Sequence, residues 1–178
     1  MSVLIEKHFE LTSEEQAFVD FLMGRECPYY LQKAYDNDKE GNMFVWVHVF
    51  MQRDDQQKPV EGQINSQLYE HAHKIFARFC AENDITVNTI FRACANATSS
   101  APFKHSQIHV DHGNFEHNNF LLYLNDVGGN TYLFDDKNNI THEITPAKNK
   151  AVVFTGCPHA QGFCKQEEYR FVIVFTFA

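Results

Sequence analysis

The sequence predicts an α+β fold that is mainly β, with a jelly-roll core and N-terminal helices packed on one of its sheets. The composition supports a sheet-rich interior, because the 178 residues include 17 Phe and 7 Tyr and aromatic side chains fit the pleated surface of a sheet better than a helix. Apolar residues recur at helical spacing in the first half of the chain, whereas short apolar segments separated by turn residues follow from residue 85. We therefore expect a single domain over residues 1–178, with helical and edge-strand support in 1–84 and the jelly-roll core in 85–178.

Size, charge and cysteine content restrict the function classes. A chain of 178 residues can bury a core without disulfides or a structural metal. The formal net charge of -8 disfavours nucleic acid as a partner, because clustered Lys and Arg are needed to neutralise a phosphate backbone. The apolar runs are too short to span a bilayer, no secretory signal is recognisable, and the 5 Cys include no Cys-x-x-Cys pair. We expect a reduced, cytoplasmic protein without nucleic-acid or membrane partners, and the sequence leaves its oligomeric state open.

The N-terminal part is predicted to contain two helices and a strand. Thr12 followed by Glu15 is a capping-box pattern that opens a helix, and Gly24 ends this helix. Residues 43–51 are apolar on both faces, as expected of a strand that is buried on both sides or of a pairing edge strand under a helix. Residues 65–82 carry apolar side chains at helical spacing and are predicted to form the longer helix, which should lie against a sheet.

The C-terminal part is predicted to contain eight short strands, the number that a jelly roll requires. Gly and Asn supply the positive φ angles of tight connections, so residues 128–130 and 135–139 are the clearest hairpin turns. We place the strands near residues 86–95, 106–111, 118–125, 130–134, 139–144, 150–155, 158–163 and 168–177.

One hexapeptide, residues 107–112, contains a candidate metal-binding pair. His109 and Asp111 are two residues apart, so on a strand their side chains point to the same face. This pair is half of a 2-His-1-carboxylate site, which needs a second histidine from a distant strand. His159 is the candidate, because it follows an apolar strand at the position where the mouth of a barrel is expected.

Arg170 begins the last apolar strand and is the second candidate functional residue. An arginine among apolar residues is costly to bury unless it meets an anion. The strand therefore predicts a carboxylate partner, from either the protein or a ligand. By strand alternation, Arg170 shares its face with Val172, Val174 and Thr176, while the opposite face carries Phe171, Ile173, Phe175 and Phe177.

Taken in order, the His-x-Asp pair, the distant His and the basic residue on the last strand resemble the Fe(II)- and 2-oxoglutarate-dependent oxygenases. Tyr123-Leu124-Asn125 and Gly128-Gly129-Asn130-Thr131 are similar to the prolyl-4-hydroxylase branch, in which a Tyr-Leu-Asn strand end and a Gly-Gly-x-Thr turn recur. Pro28-Tyr29-Tyr30, the long helix and Arg92-x-x-Ala95-Asn96 resemble short stand-alone members from bacteria and phages. The resemblance covers nearly the whole chain, and its specific motifs lie between residues 92 and 177.

The resemblance implies a double-stranded β-helix core that holds an iron site. His109, Asp111 and His159 correspond to the ligands of Fe(II), and Arg170 corresponds to the partner of the distal carboxylate of 2-oxoglutarate. Tyr123 matches the tyrosine that shares this carboxylate in the prolyl hydroxylase branch. Alternatively, Tyr123 is a core tyrosine whose hydroxyl group has some other hydrogen-bond partner.

The cosubstrate contacts of this chain depart from the family pattern at one position. Many members carry Ser or Thr two residues after the basic residue, and Val172 stands there in this chain. One hydrogen bond to the cosubstrate is therefore missing or is supplied by Thr176 or Asn96. Arg92 and Asn96 lie on a strand that often faces cosubstrate or substrate in related enzymes, and a structural role is equally compatible with each.

The implied reaction couples oxidative decarboxylation of 2-oxoglutarate to hydroxylation of a C–H bond, and it requires Fe(II), 2-oxoglutarate and O2. The branch suggests a prolyl residue as substrate, but another small-molecule or peptidyl substrate stays open because fold neighbours share chemistry without sharing substrates. Two alternative functions use the same three ligands. One is a non-catalytic, cupin-like module that binds a metal or ligand, and the other is a hydrolase that holds Zn(II).

Several other residues that can bind metal are predicted to lie outside the site. His48 is expected to be a hydrogen-bonded core histidine. His105, His112 and His117 are expected on the solvated surface, although they could line a substrate mouth, and His112 should face away from the metal pair on a regular strand. Cys157 is predicted to be structural, because soft sulfur favours other metals.

Overall fold

The structure is a computed structural model that describes residues 3–33, 44–166 and 168–178. These residues form two helices and eleven strands, and all of the strand pairs between them are antiparallel. In chain order the elements are β1 (Val3–His8), α1 (Ser13–Met23), β2 (Tyr30–Lys33), β3 (Phe44–Gln52), β4 (Gln63–Ile64), α2 (Tyr69–Glu82), β5 (Ile90–Thr98), β6 (Asn118–Tyr123), β7 (Thr131–Phe134), β8 (Ile140–Ile144), β9 (Lys150–Thr155), β10 (His159–Gln161) and β11 (Arg170–Phe177).

The strands form two sheets. The larger sheet has the order β1-β9-β6-β11-β5-β3-β2, and β4 pairs with β3. The smaller sheet has the order β10-β7-β8. Strands from the N-terminal part of the chain thus occupy both edges of the larger sheet, while β6, β11 and β5 form its centre.

Both helices pack on one face of the larger sheet. Helix α1 begins with the predicted capping box, in which Thr12 and Glu15 exchange side-chain and backbone hydrogen bonds. Helix α2 places Phe76 parallel to Phe175 of β11, with ring centroids 4.4 Å apart. The core on this side also contains Phe18, Leu22, Ile75, Phe79, Phe120, Ile173 and Phe177. The predicted docking of apolar helical stripes on a sheet is therefore confirmed.

The opposite face of the larger sheet is turned towards the smaller sheet. Val172 and Val174 of β11 pack in one buried cluster with Leu133 of β7 and Ile144 of β8. The odd-numbered residues of β11 belong to the helix-facing core instead. The predicted alternation of β11 is therefore confirmed, and it turns the face that carries Arg170 towards the space between the sheets.

Most predicted elements are present, with small changes at their ends. The first helix and the strand at residues 150–155 agree with the prediction, and the second helix starts at Tyr69 rather than near residue 65. Met43, the predicted first residue of the strand at 43–51, lies outside the described residues. The predicted turns contain Gly129 and Asn138 at φ values of 87° and 61°, which agrees with the need for positive φ there.

The strand predicted at residues 106–111 is not continuous. Within the described structure this segment makes one isolated bridge, between His109 and His159, and the preceding residue His105 makes another with Gly162. Between them the hydroxyl of Ser106 accepts a hydrogen bond from the backbone N–H of Gln161 at 3.0 Å. A side-chain oxygen thus takes the place of a backbone carbonyl, so regular ladder pairing is interrupted.

The described cysteines are all free and buried: Cys27, Cys80, Cys94, Cys157 and Cys164. Burial raises the pKa of Cys27 to about 11 and that of Cys80 to about 12, so both thiols stay protonated near neutral pH. Neither described helix is long and apolar enough to cross a membrane.

Candidate metal centre and its cavity

His109, Asp111 and His159 come together between the two sheets. Their potential ligand atoms all lie within 4.8 Å of one another. Backbone hydrogen bonds of 3.0 and 2.9 Å join His109 and His159 in both directions, and their rings are 4.4 Å apart. The sequence prediction that a distant histidine joins the His-x-Asp pair is therefore supported by the geometry.

Backbone carbonyls orient both histidine rings. Nδ1 of His109 lies 3.2 Å from the carbonyl oxygen of Gln107, and Nδ1 of His159 lies 2.8 Å from that of Cys157. A carbonyl can only accept, so each Nδ1 donates. In the neutral form of either ring, Nε2 is then the nitrogen that keeps its lone pair. Fixing the tautomer in this way is what a metal-binding histidine requires.

The three groups form a partly buried acid–base cluster. Nε2 of His159 lies 3.4 Å from Oδ2 of Asp111. Burial alone would raise the pKa of Asp111, but contact with His159 and the charges of His109 and Arg92 hold it well below its usual range. Burial and the nearby His159 lower the pKa of His109 to about 4. Asp111 is therefore ionised and His109 neutral near neutral pH, as metal ligation requires. Burial alone would lower the pKa of His159, but its contact with Asp111 raises it, and a bound metal ion would displace that proton.

The donor set fits a divalent first-row metal. Two imidazole nitrogens and one carboxylate oxygen on one side of an ion, with other positions open, are typical of non-haem Fe(II) oxygenases. The thiol of Cys157 is buried and burial raises its pKa, so it stays protonated while its backbone carbonyl orients His159. Cys157 contributes to the site through its backbone, which agrees with the predicted structural role of its side chain.

The three residues line a cavity of about 1010 Å³. Its wall combines residues from both sheets, including the inward face of β11. The polar part of this lining includes Gln52, Arg53, Gln56, Asn65, Ser66, Arg92, Asn96, His109, Asp111, Asn119, Thr131, His159, Gln161 and Arg170.

Arg170 reaches this cavity and is almost completely buried, with 2% of its surface exposed. Its Nη2 atom donates to the hydroxyl of Thr131 at 2.8 Å, and its Nη1 atom lies 3.4 Å from Oε1 of Gln161. The guanidinium also lies 5.1 Å from the ring centroid of Tyr123. No carboxylate of the described residues forms an ion pair with Arg170. The anionic partner that the sequence predicts for Arg170 is therefore not supplied by the described protein residues.

The predicted cosubstrate residues differ in their positions. Tyr123 is fully buried and its hydroxyl donates to Thr131 at 2.7 Å. Asn96 lines the cavity and is paired in register with Val172 on the neighbouring strand. Thr176 lies deeper along β11, where its hydroxyl is 3.0 Å from Nε2 of His112. The geometry thus brings Asn96, but not Thr176, next to the position of Val172.

The structure corrects the prediction that three histidines are solvated. His112 is 1% exposed and His117 is 5% exposed, and their rings are 4.7 Å apart. His105 is half-buried between Tyr132 and Phe134. The prediction failed because His112 and His117 are buried individually while residues 113, 114 and 116 between them are exposed, which no local sequence pattern shows. His48, in contrast, is buried and bonds with Pro28 O and Ser66 Oγ at 2.7 and 2.8 Å, as predicted.

Several cavity residues were not assigned a role from the sequence. Thr131 belongs to the Gly-Gly-x-Thr turn, so its motif was visible but its contact with Arg170 was not. Asn119 shares a strand face with Leu121 and Tyr123, and a polar residue on this apolar face was a usable signal. Arg53 follows the end of β3 and carried no comparable signal, because arginines after strands are usually solvated.

Comparison with known proteins adds a likeness of fold. No protein-family model matches the chain, and no curated protein sequence matches it. A 2OG-Fe(II) oxygenase family oxidoreductase from Burkholderia pseudomallei matches with a TM-score of 0.70 and 17% identity, over 93% of this chain and 79% of that chain.

Two prolyl hydroxylase structures are also similar. A prolyl-4-hydroxylase from Pseudomonas putida matches with a TM-score of 0.59 and 15% identity, covering 97% of this chain and 90% of that one. A prolyl hydroxylase from Trichoplax adhaerens, in complex with a hypoxia inducible factor oxygen degradation domain peptide fragment, matches with a TM-score of 0.63 and 14% identity, covering 97% of this chain and 82% of that one. The chain therefore has the fold of these oxygenase structures.

Proposed function

We propose that this protein is an Fe(II)- and 2-oxoglutarate-dependent dioxygenase that hydroxylates a C–H bond. One observation carries the proposal: a partly buried His-Asp-His cluster and a buried arginine without a described carboxylate partner line the same cavity. The first group is suited to a metal, and the second requires an anion. Fe(II) with 2-oxoglutarate would satisfy both requirements, and the two sheets would then be the halves of a double-stranded β-helix.

The metal would be held by Nε2 of His109, Nε2 of His159 and the carboxylate of Asp111. Bound Fe(II) would supply open positions for the keto-acid and for O2. The carbonyl groups of Gln107 and Cys157 keep both imidazoles in the ligand tautomer. Apolar neighbours such as Val172, Val174 and Phe154 limit the access of water to this side of the cavity.

The distal carboxylate of 2-oxoglutarate would bind Arg170. The hydroxyl groups of Thr131 and Tyr123 adjoin this guanidinium and would complete the carboxylate site. The side-chain amide of Asn96, next to Val172, would replace the hydrogen bond that other family members make through Ser or Thr. Thr176 would support His112 rather than contact the cosubstrate directly.

The substrate would be a small molecule or a peptidyl group. A prolyl residue is one candidate, suggested by the likeness of fold to prolyl hydroxylases, one of which carries a peptide. Screening proline-containing peptides for a product with one added oxygen by mass spectrometry would test this substrate class.

Anaerobic addition of Fe(II) and 2-oxoglutarate tests the proposed function. A keto-acid chelated to Fe(II) should give a weak visible charge-transfer band, and His109→Ala should abolish this band. His8→Ala is the matched control, because the side chain of His8 is 63% exposed on β1, away from the cavity lining. Absence of the band in the wild type, or its persistence in His109→Ala, would contradict the assignment.

Admission of air separates the dioxygenase from a cupin-like binding module with the same pocket. The dioxygenase should convert 2-oxoglutarate into succinate, with a slow uncoupled rate even without substrate, whereas a binding module produces none. A Zn(II)-dependent hydrolase is disfavoured, because Arg170 would then have no anion to bind. If the protein were such a hydrolase, 2-oxoglutarate would leave its affinity for the metal unchanged.

A further inference from the structure

We propose that Asn119 binds the metal end of 2-oxoglutarate, by donating a side-chain amide N–H to the carboxylate that would chelate the metal together with the keto group. This inference rests on the proposed function and deepens it, because it names a contact at the end of the cosubstrate opposite to the one assigned to Arg170. Asn119 lies on β6 and lines the cavity.

The side chain of Asn119 is buried without a hydrogen bond. The residue is 1% exposed, and neither its amide oxygen nor its amide nitrogen has a partner among the residues that the structure describes. Buried polar groups in folded proteins nearly always have a partner, because an unsatisfied one costs free energy. The terminal torsion of asparagine is broad, so the amide can turn towards a ligand in the cavity. A ligand that accepts a hydrogen bond there would recover the cost.

The strand register places Asn119 beside the metal-binding residues. Its register partner on β9 is Phe154, whose ring lies 5.4 Å from the ring of His159. Its register partner on β11 is Thr176, whose hydroxyl lies 3.0 Å from Nε2 of the histidine that directly follows Asp111. Asn119 is therefore flanked on both sides by residues that adjoin the proposed metal site.

The residues assigned to the distal carboxylate lie at another part of β6. Tyr123 faces the cavity from this strand and donates to Thr131, the residue that also accepts from Arg170. Asn119 is four residues from Tyr123, about 13 Å along a strand, and Leu121 stands between them on the same face. A keto-acid held by Arg170 would extend along this face of β6 towards Asn119.

An amide is suited to this contact. It carries two N–H donors, and a hydrogen bond from such a donor to an ionised carboxylate is stronger than a bond between neutral groups. The inward-facing neighbours Leu121 and Phe154 are apolar and cannot donate. Asn119 therefore supplies the hydrogen-bond donor on this part of the wall.

Two variants of equal shape test the inference. Asn119→Val and Asn119→Thr remove the same volume, but only threonine retains a donor, so their difference measures the hydrogen bond. Each protein is loaded with Fe(II) without O2 and titrated with 2-oxoglutarate while the charge-transfer band is recorded. Asn119→Val should weaken 2-oxoglutarate binding by about tenfold or more, as expected for loss of a hydrogen bond to a charged group, and Asn119→Thr should keep part of the affinity.

The position of the band shows which end of the ligand has lost a contact. A donor to the metal-bound carboxylate lowers the energy of the keto-acid orbital that receives the electron. The band of Asn119→Val should therefore move to shorter wavelength. Thr131→Val removes a contact at the distal carboxylate and should weaken binding without moving the band. Asn118→Leu is the matched control, because Asn118 is outside the cavity lining, and it should keep the wild-type affinity and band position.

The outcomes separate this inference from the proposed function. Wild-type affinity in Asn119→Val, an unmoved band in this variant, or equal losses in Asn119→Val and Asn119→Thr would overturn the inference, because the amide would then bind only water or fill space. An intact band in the wild type leaves the proposed function standing in each of these cases, whereas its absence contradicts that function itself. If Asn119→Val does not fold, Asn119→Leu is the second variant without a donor and should show the same two changes.

Discussion

Nη2 of Arg170 lies 2.8 Å from the hydroxyl oxygen of Thr131, and the hydroxyl of Tyr123 donates to the same oxygen at 2.7 Å. A threonine hydroxyl has two lone pairs and one proton, so it can accept both bonds and still donate to a third group. The third group would be a carboxylate held by Arg170. Thr131 thus connects the two residues for which the sequence suggested a role in 2-oxoglutarate binding.

Replacing Thr131 by Val should weaken 2-oxoglutarate binding without affecting the metal. The substitution keeps the shape of the side chain but leaves Arg170 and Tyr123 without their shared acceptor. Loss of a hydrogen bond to a charged group costs about 1.5 kcal/mol or more, which corresponds to at least about a tenfold loss of affinity. Titration of the charge-transfer band with 2-oxoglutarate in the Fe(II)-loaded protein, without O2, measures this effect.

Thr98→Val is the matched control for this experiment. Thr98 is buried on β5 next to Arg170 in the strand register, but its hydroxyl has no hydrogen-bond partner within the described chain. We expect wild-type affinity for 2-oxoglutarate in this variant. Equal losses in Thr98→Val and Thr131→Val, or weaker metal binding in Thr131→Val, would mean that the Thr131 effect is a general loss of packing.

Local patterns in the sequence predicted the parts of the fold and site that depend on neighbours along the chain. Thr12 and Glu15 are three residues apart and form the predicted capping box. The alternation of β11 placed Arg170 on the face opposite to Phe175, because side chains of a strand change face at every residue. The spacing of His109 and Asp111 suggested a pair on one face, although only His109 of the two forms a β-bridge there. His159 was added from its place after an apolar strand and from the family resemblance.

Contacts between distant segments were not predictable in the same way. Strand alternation determines a face but not the partner across the cavity, so the convergence of Arg53 on Asp111 had no local signal. The break in the strand at Ser106 depends on one hydroxyl that meets the backbone of Gln161, 55 residues away. His112 lies beyond that break and is 1% exposed, although the sequence analysis predicted a solvated side chain.

Replacing Asn119 by Leu should stabilise the ligand-free protein and reduce the stabilisation that Fe(II) and 2-oxoglutarate provide. Asn119 is 1% exposed and lines the cavity, but neither its amide oxygen nor its amide nitrogen has a partner among the described groups. A buried unsatisfied polar group costs about 1–3 kcal/mol, and an apolar side chain of similar size removes this cost. Thermal unfolding should show a higher Tm without ligand and a smaller increase of Tm when Fe(II) and 2-oxoglutarate are added.

Asn118→Leu provides the comparison for Asn119. Asn118 is the preceding residue on β6, is partly exposed, and is not part of the cavity lining. Its substitution should leave both the ligand-free Tm and the ligand-induced increase close to those of the wild type. A lower Tm for Asn119→Leu would indicate that the amide has a stabilising partner, such as an ordered water molecule.

Replacing Gly156 by Ala should destabilise the protein and weaken its metal binding. A Cβ atom at this position would lie 2.6 Å from both ring nitrogens of His117. His117 cannot move away easily, because its ring is buried and packs against His112. Overpacking of this kind costs about 1–3 kcal/mol. The strain would also reach His159, three residues further along the chain, so Fe(II) affinity should fall together with the midpoint of urea unfolding.

Gly113→Ala tests whether this effect depends on space rather than on glycine itself. No atom lies within 4 Å of a Cβ built on Gly113. The variant should unfold at the same urea concentration as the wild type and bind Fe(II) equally well. A wild-type midpoint for Gly156→Ala would show instead that the ring of His117 moves aside at little cost.

Replacing Glu15 by Gln should reduce stability at neutral pH, and the loss should shrink in acid. Glu15 accepts hydrogen bonds of 2.9 and 2.6 Å from Arg78 and one of 2.8 Å from the backbone of Thr12. Burial alone would raise the pKa of Glu15, but Arg78 and Thr12 lower it below 4.5. The carboxylate therefore stabilises the fold above its unfolded-state pKa, and this contribution disappears as the pH falls through the lower folded-state pKa.

Urea unfolding of Glu15→Gln should show a loss of about 2 kcal/mol at neutral pH, from the cap and the bonds to Arg78. Glu14→Gln is the control, because Glu14 is 73% exposed and lies 3.6 Å from Lys74 on the surface. An exposed pair contributes about 0–1 kcal/mol, so this variant should differ little from the wild type at any pH. A Glu15→Gln deficit that stays constant as the pH is lowered would show that the lost stability comes from packing rather than from the charge, because only the charged interaction is removed by protonation.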